Sequence, residues 1–303
     1  MKRDLISVLD ISDDIDDLIE SAAYLKKNRA KHNHPLVGKS LAMIFEKPST
    51  RTRSSFEIAM VELGGHAMFL DARGMQIGRG ETIADTAKVL SRYVHGIVYR
   101  AYTNVAMREL AASSEVPVIN ALDDMEHPCQ ALADLLTIKE KKGQLDGLKV
   151  VYLGDGNNVC NSLLLAGALT GMHMVASCPP ERMPDKTIAT CAAEIAEGWG
   201  ESVELESDPY KAVRDADVLY TDVWVSMGDE SDPEYARALF SPYAIDAELL
   251  ALAKDDAIVL HCLPAHRGEE IAAEVIDGPQ SVVFDQAENR LHAQKAVLQL
   301  LLE

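Results

Sequence analysis

Leu41-Ala-Met-Ile-Phe-Glu-Lys-Pro-Ser-Thr-Arg-Thr-Arg53 joins an apolar run to a cluster of hydroxyl and guanidinium side chains. Leu41 to Phe45 reads as a buried strand, and Pro48 stops it. Ser49-Thr50-Arg51-Thr52-Arg53 then opens a helical pattern whose apolar positions are Phe56, Ile58, Ala59, Met60 and Leu63. The first turn of a helix has free N–H groups and the positive end of the helix dipole, so it favours an anion. Ser49, Thr50 and Thr52 add donors there, and Arg51 adds a fork that matches phosphate oxygens. An ordinary Ser/Thr cap beside surface arginines is the plain alternative. Against a formal net charge of -19, from 29 Lys+Arg and 48 Asp+Glu, so much local positive charge favours an anion site.

The same acidity makes nucleic acid and anionic membranes poor partners. A length of 303 residues suggests two domains, and 48% hydrophobic with 25% charged residues is the composition of a globular chain. The start, Met1-Lys2-Arg3-Asp4, has no apolar signal core. The longest apolar run, Leu163 to Ala176, contains Gly171 and His173 and fits a buried helix running into a strand better than a membrane span. Cys129, Cys160, Cys178, Cys191 and Cys262 show no C-x-x-C spacing, consistent with reduced thiols and a cytoplasmic location.

Short apolar runs alternate with amphipathic helical patterns along the chain. Strands are expected at 41–45, 66–70, 96–100 and 116–120, then at 149–153, 173–177, 203–206, 217–221, 257–262 and 281–285. Helices are expected near 13–29, 51–63, 82–94, 104–114 and 127–142, with Asp285-Gln-Ala-Glu-Asn-Arg290 opening the last one. This alternation predicts an α/β fold of two doubly wound parallel-sheet domains. The polar connector Lys141 to Gly147 divides them into 1–142 and 143–285. In such sheets ligands lie beyond the carboxyl ends of the strands, so the residues following each strand are where chemistry is sought.

Arg100 ends the strand 96–100, where a surface arginine is the plain reading. His127-Pro128-Cys129-Gln130 opens a helix with Pro at its first position, so His127 caps it and Gln130 shares its first turn. An imidazole and a carboxamide there can grip an uncharged carbonyl or amide. Gly154-Asp155-Gly156-Asn157-Asn158-Val159 resembles a dinucleotide turn, but Val159 stands where a third glycine belongs and no acidic residue follows the next strand. Asn158 is therefore a polar ligand group at a sheet edge. Asp222, at a strand end before Ser226-Met227-Gly228, can hold a cationic amine, or simply be a solvated loop acid. His261-Cys262-Leu263-Pro264-Ala265-His266 matches no zinc pattern, so no metal site is expected. Cys262 as a nucleophile would need a base, and His261, its neighbour on an alternating strand, should face the other way.

Taken in order, Ser49-Thr-Arg-Thr-Arg53, Tyr99-Arg100, His127-Pro-Cys-Gln130, Asp222…Ser226-Met227-Gly228 and His261-Cys-Leu-Pro264 resemble the aspartate/ornithine carbamoyltransferase family over essentially the whole chain. The first three motifs imply the family, and the last two imply its ornithine-using branch. The resemblance implies an N-terminal carbamoyl-phosphate domain, a C-terminal ornithine domain and a last helix, 286–303, returning to the first domain. It implies that Ser49, Thr50, Arg51, Thr52, Gln76, Arg100, His127, Gln130, Cys262, Leu263 and Arg290 bind carbamoyl phosphate, Gln76 reaching a neighbouring subunit's site. It implies that Asn158, Asp222, Ser226 and Met227 bind L-ornithine, with Arg100, His127, Cys262 and Asp222 in the catalytic roles. A homotrimer with active sites between subunits, and no cofactor, complete the expectation.

The implied chemistry is acyl transfer from an acyl phosphate, helped by donors to the developing oxyanion and by positioning. Carbamoyl transfer to another amine such as putrescine, a nicotinamide-dependent oxidoreductase built on Gly154-Asp-Gly156, and a non-catalytic two-domain binder are the rival readings.

Overall fold

Strand β1 (Ser40–Phe45) is paired in parallel on both edges, with Met43 opposite Phe69 of β2 (His66–Asp71) and opposite Val98 of β3 (Gly96–Arg100). Leu41, Ala42, Met43 and Ile44 are all completely buried, as a strand covered on both faces requires. The computed structural model describes residues 2–31, 34–77, 79–225 and 232–303. Contacts divide the chain into two units, 1–136 with 288–303, and 137–287.

The first unit follows a short 3-10 turn with α1 (Ile15–Lys27), then β1, α2 (Thr50–Glu62), β2, α3 (Ile83–Leu90), β3, α4 (Asn104–Ser113) and β4 (Val118–Leu122). It ends in α5 (Pro128–Lys142), whose last turns belong to the second unit. The strand order is β2-β1-β3-β4, all parallel, so the order reverses between β1 and β3. Ile44, Ile97, Tyr99, Met107, Leu110 and Val118 belong to the core on one face of this sheet.

The second unit runs through β5 (Lys149–Leu153), α6 (Asn158–Leu169), β6 (His173–Ser177), α7 (Lys186–Glu197), β7 (Val203–Leu205) and α8 (Pro209–Ala212). It continues with β8 (Val218–Thr221), α9 (Pro233–Phe240), α10 (Ala247–Leu250), β9 (Ile258–His261), α11 (Ala273–Ile276) and the start of α12 (Val283–Leu302). Its order is β7-β6-β5-β8-β9, again all parallel, with the reversal between β5 and β8. The rest of α12 packs in the first unit, where Lys295 pairs with Glu62 at 2.9 Å. Two doubly wound parallel sheets and a returning C-terminal helix are thus the observed architecture.

One expected strand is a helix instead. Residues 281–285 do not pair along β9: Val259 makes an isolated bridge to Ser281, and the chain turns into α12 at Val283. The next donor of β9, the His261 N–H, is taken at 2.8 Å by the Gln286 side chain. A side-chain carbonyl of the helix thus does the work of a sixth strand at that position. The strand expected at 116–120 is observed at 118–122, and 82–94 is helical only over 83–90 before it breaks into turns. No helix among the described residues is long and apolar enough to cross a membrane.

Candidate active site

In the first unit, Ser49 caps α2 and its hydroxyl accepts the Thr52 N–H at 3.3 Å. Capping sets the helix phase. It turns Thr52 into the interior, 1% exposed, and leaves Arg53 outside. Arg53 lies over the Phe69 ring, 3.8 Å from its centroid, and pairs with Glu57. Ser49 and Thr50 line a cleft of about 520 Å³ together with Lys47, Arg53 and Arg73.

Arg100 occupies the carboxyl end of β3 where the register with β4 shifts, so that it stands opposite Leu122. Such an irregularity re-aims a side chain at a sheet edge. His127 precedes α5, and its carbonyl receives the Gln130 and Ala131 N–H groups. From α12, Arg290 donates to Gln130 Oε1 at 2.6 Å and to the Thr52 hydroxyl at 3.2 Å. The Gln130 amide also donates to Asp134 at 2.8 Å, which fixes its orientation. Arg100, His127, Gln130 and Arg290 are each at most 5% exposed.

Burial, reinforced by the charges of Arg290, Arg100 and Arg51, lowers His127 well below an ordinary histidine, so its imidazole is neutral near neutral pH. Burial and Arg100 likewise lower the Lys47 ammonium. Guanidinium groups gathered around a neutral ring describe a place for an anion that also carries a polar uncharged group. Gln76 is elsewhere on the surface, exposed in the loop after β2, its carbonyl accepting from Arg79 and Glu81.

Sequence reasoning passed over Asp123, which builds the turn that delivers His127. Its Oδ1 accepts the Met125 and Glu126 N–H groups, both at 2.8 Å, and its Oδ2 accepts from Asn104 at 2.7 Å and Asn120 at 3.0 Å. Burial raises its pKa in spite of these donors. Aspartate before a tight turn is a recognisable signal.

In the second unit, Asp222 follows β8 and is 6% exposed. The Cys262 thiol donates to its Oδ1 at 2.9 Å, and the Asn157 amide donates to its Oδ2 at 2.9 Å. His261 does turn away from Cys262, meeting Glu270 at 3.0 Å through Nε2 and accepting the Leu263 N–H at 2.9 Å through Nδ1. Leu263 adopts a left-handed backbone, φ 59, unusual for a branched residue and typical of functional turns. Asn158, half-buried, is the first residue of α6. Ser226 and Met227 lie outside the described residues.

Asp222, His261 and Cys262 bring metal-ligand atoms within 4.8 Å of one another, but both imidazole nitrogens of His261 already have partners. The glycines of the supposed dinucleotide turn serve the chain itself. A Cβ on Gly156 would lie 2.3 Å from the Pro184 nitrogen, and its N–H donates to the Arg182 carbonyl at 2.8 Å. Backbone of residues 182–184 fills the space a side chain at this position would need.

The described carbamoyl-P binding domain of aspartate/ornithine carbamoyltransferases matches residues 3–140, and their Asp/Orn binding domain matches residues 146–301. The chain belongs to the aspartate/ornithine carbamoyltransferase family. It is 55% identical over 294 residues to a protein of Methanobrevibacter smithii named ornithine carbamoyltransferase, covering 97% of each. A Pyrococcus horikoshii protein of the same name is 54% identical over 303 residues, covering 99% of this chain and 96% of that one. The structure of ornithine carbamoyltransferase from Pyrococcus furiosus superposes with a TM-score of 0.96 at 53% identity, covering 99% of this chain and 97% of the other. None of these likenesses favours an oxidoreductase.

Proposed function

We propose that this chain transfers the carbamoyl group of carbamoyl phosphate to the δ-amine of L-ornithine, giving L-citrulline and phosphate. The observation that carries the reading is the neutral, buried His127 set among the charges of Arg51, Arg100 and Arg290. Ser49, Thr50, Arg51 and Thr52 at the start of α2, with Arg100 and Arg290, hold the phosphate and neutralise it as it leaves. Arg100, Thr52 and His127 polarise the carbamoyl oxygen, and Gln130 with the Leu263 carbonyl orients the carbamoyl NH2. Cys262 also contributes to the carbamoyl-phosphate site.

Asp222 takes the α-ammonium of ornithine, and Asn158, Ser226 and Met227 complete its site. The δ-amine attacks the carbonyl carbon, the C–O bond to phosphate breaks, and the departing phosphate accepts the amine's proton. Neither metal nor organic cofactor enters these steps. The first domain, 1–142 with 286–303, binds carbamoyl phosphate, and the second, 143–285, binds ornithine. The working assembly is a cytoplasmic homotrimer serving arginine biosynthesis or its reverse, with Gln76 reaching the site of a neighbouring subunit.

A colorimetric citrulline assay with ornithine, aspartate and putrescine as acceptors tests the reading. Product from ornithine far above the other two is expected, and its absence overturns the proposal. Light scattering after gel filtration should give three times the chain mass.

A further inference from the structure

We propose that Asn157, the residue before the expected ligand Asn158, is a positioning residue for the acceptor amine: it locks the Asp222 carboxylate in place while leaving its charge intact. The inference rests on the ornithine reading above. Asn157 caps α6, and its Oδ1 accepts three donors: the Val159 N–H at 2.9 Å, the Cys160 N–H at 3.2 Å and the Tyr152 hydroxyl at 3.2 Å. A flipped amide would set its NH2 against two backbone N–H groups, so the orientation is determined by the hydrogen bonds alone. The NH2 must face Asp222, and it donates to Oδ2 at 2.9 Å.

The rest of the surround removes the remaining freedom. Cys262 donates its thiol hydrogen to the other oxygen, Oδ1. Tyr152, fully buried, stacks on Tyr220 with centroids 5.7 Å apart. The Tyr220 hydroxyl accepts from Gln286 at 3.1 Å, and Gln286 in turn accepts the His261 N–H, one residue before Cys262. The ends of β5, β8 and β9 and the first turn of α12 are thereby joined in one ring of contacts around Asp222.

The chemistry of the two donors matters as much as their geometry. A nearly buried carboxylate needs hydrogen bonds to be tolerated. A lysine or arginine would supply them but would also cancel the charge that an ammonium is meant to meet. An amide N–H and a thiol satisfy the oxygens and stay neutral, so the full negative charge is kept for the ligand. Each oxygen retains a further lone pair for it.

Asn157→Ser keeps a good helix cap but is too short to reach Asp222. Asn157→Asp keeps both cap and size and sets an oxygen against Asp222. For Asn157→Ser, KM for ornithine should rise about tenfold or more, as expected for a lost hydrogen bond to a charged group, with KM for carbamoyl phosphate changing less than about twofold. For Asn157→Asp the ornithine defect relative to wild type should be larger and should shrink as pH falls from 8 to 6. Paired carboxyls share a proton, and the shared proton restores a donor to Asp222. A merely structural cap would give neither the split between substrates nor that pH dependence. Equal losses for both substrates, or a pH-independent defect in Asn157→Asp, would overturn the inference while wild type still makes citrulline. Wild type that makes none would overturn the functional reading and this inference together.

Discussion

Arg290 Nη1 stands 2.6 Å from Gln130 Oε1 while Nη2 stands 3.2 Å from the Thr52 hydroxyl, so one guanidinium from the last helix ties the start of α2 to the start of α5. Arginine has no acceptor, so Thr52 must accept in this contact. Its own hydroxyl hydrogen is then left to donate to an incoming oxygen. The C-terminal helix accordingly helps to shape the place proposed for the phosphate.

Arg51 and Arg53 are two residues apart on α2 and should behave differently. Arg51 bears on buried His127, so Arg51→Ala should weaken carbamoyl-phosphate binding by about 1.5–3 kcal/mol. Arg53 pairs with Phe69 and Glu57 on the exposed side, and Arg53→Ala should cost about 0.5–1 kcal/mol of stability. Equilibrium titration of both variants with carbamoyl phosphate, beside thermal melts, checks the pair; a greater affinity loss in Arg53→Ala would refute the assignment.

Replacing Asp222 by Asn preserves shape and removes the charge proposed to meet an ammonium. Ornithine affinity should fall by about 2 kcal/mol or more while carbamoyl phosphate binds nearly as before. Calorimetric titration of each ligand distinguishes this from a general loss of structure, which would weaken both.

His292 on α12 is completely buried, and among the described residues neither of its ring nitrogens makes a hydrogen bond. Burial, followed by the Lys295 charge, lowers its pKa to about 4. Its unfolded value is near 6.5, so the folded state resists a proton that the unfolded state accepts. The stability this confers is complete above about pH 6.5 and is lost as pH falls toward 4, with roughly 2 kcal/mol gone by pH 5. Denaturant unfolding of wild type and His292→Gln at pH 7, 6 and 5 should show the steeper decline in wild type; parallel curves would remove His292 as the cause.

The acceptor's own protonation should dominate the pH dependence of catalysis. A δ-amine resembles that of lysine, with pKa near 10.4, so about one molecule in a thousand is neutral near pH 7. If the productive complex selects that form, kcat/KM for ornithine should rise about tenfold per pH unit between roughly 6.5 and 8.5. His127, neutral throughout, should add no ionisation of its own to that range. A flat profile would require a protein base acting after the protonated amine binds.

Period and punctuation made most strands legible: Leu41–Phe45 is a continuous apolar run, and Lys149–Leu153 and His173–Ser177 each hold an apolar run, Val150–Leu153 and Met174–Ala176, that begins after a polar residue. Val282-Val283-Phe284 misled because β-branched and aromatic residues favour strands locally, whereas tertiary pairing gave β9 a glutamine in place of a strand. Thr52, Gln130 and Arg290 could be singled out by type and position, and they do meet. Asn157 and Asp123 were harder to see because their work is done through other side chains. Nothing in spacing alone tells which of two adjacent asparagines caps α6 and which begins it; φ -80 and ψ -170 at Asn157 decide that.

Gly156 and Gly143 are irreplaceable to different degrees. At Gly143, φ is +82 with nothing within 4 Å of an added Cβ, so asparagine, which tolerates a left-handed backbone, could stand there. At Gly156 a single methyl group would collide with backbone atoms of Met183 and Pro184 that belong to another turn of the same unit. Sequence drift at this position therefore has no gradual route: even alanine, the smallest step, requires the 182–184 segment to be rebuilt at the same time. The glycine pattern that invites comparison with cofactor-binding turns would persist in descendants of this chain through crowding alone, whatever the site binds.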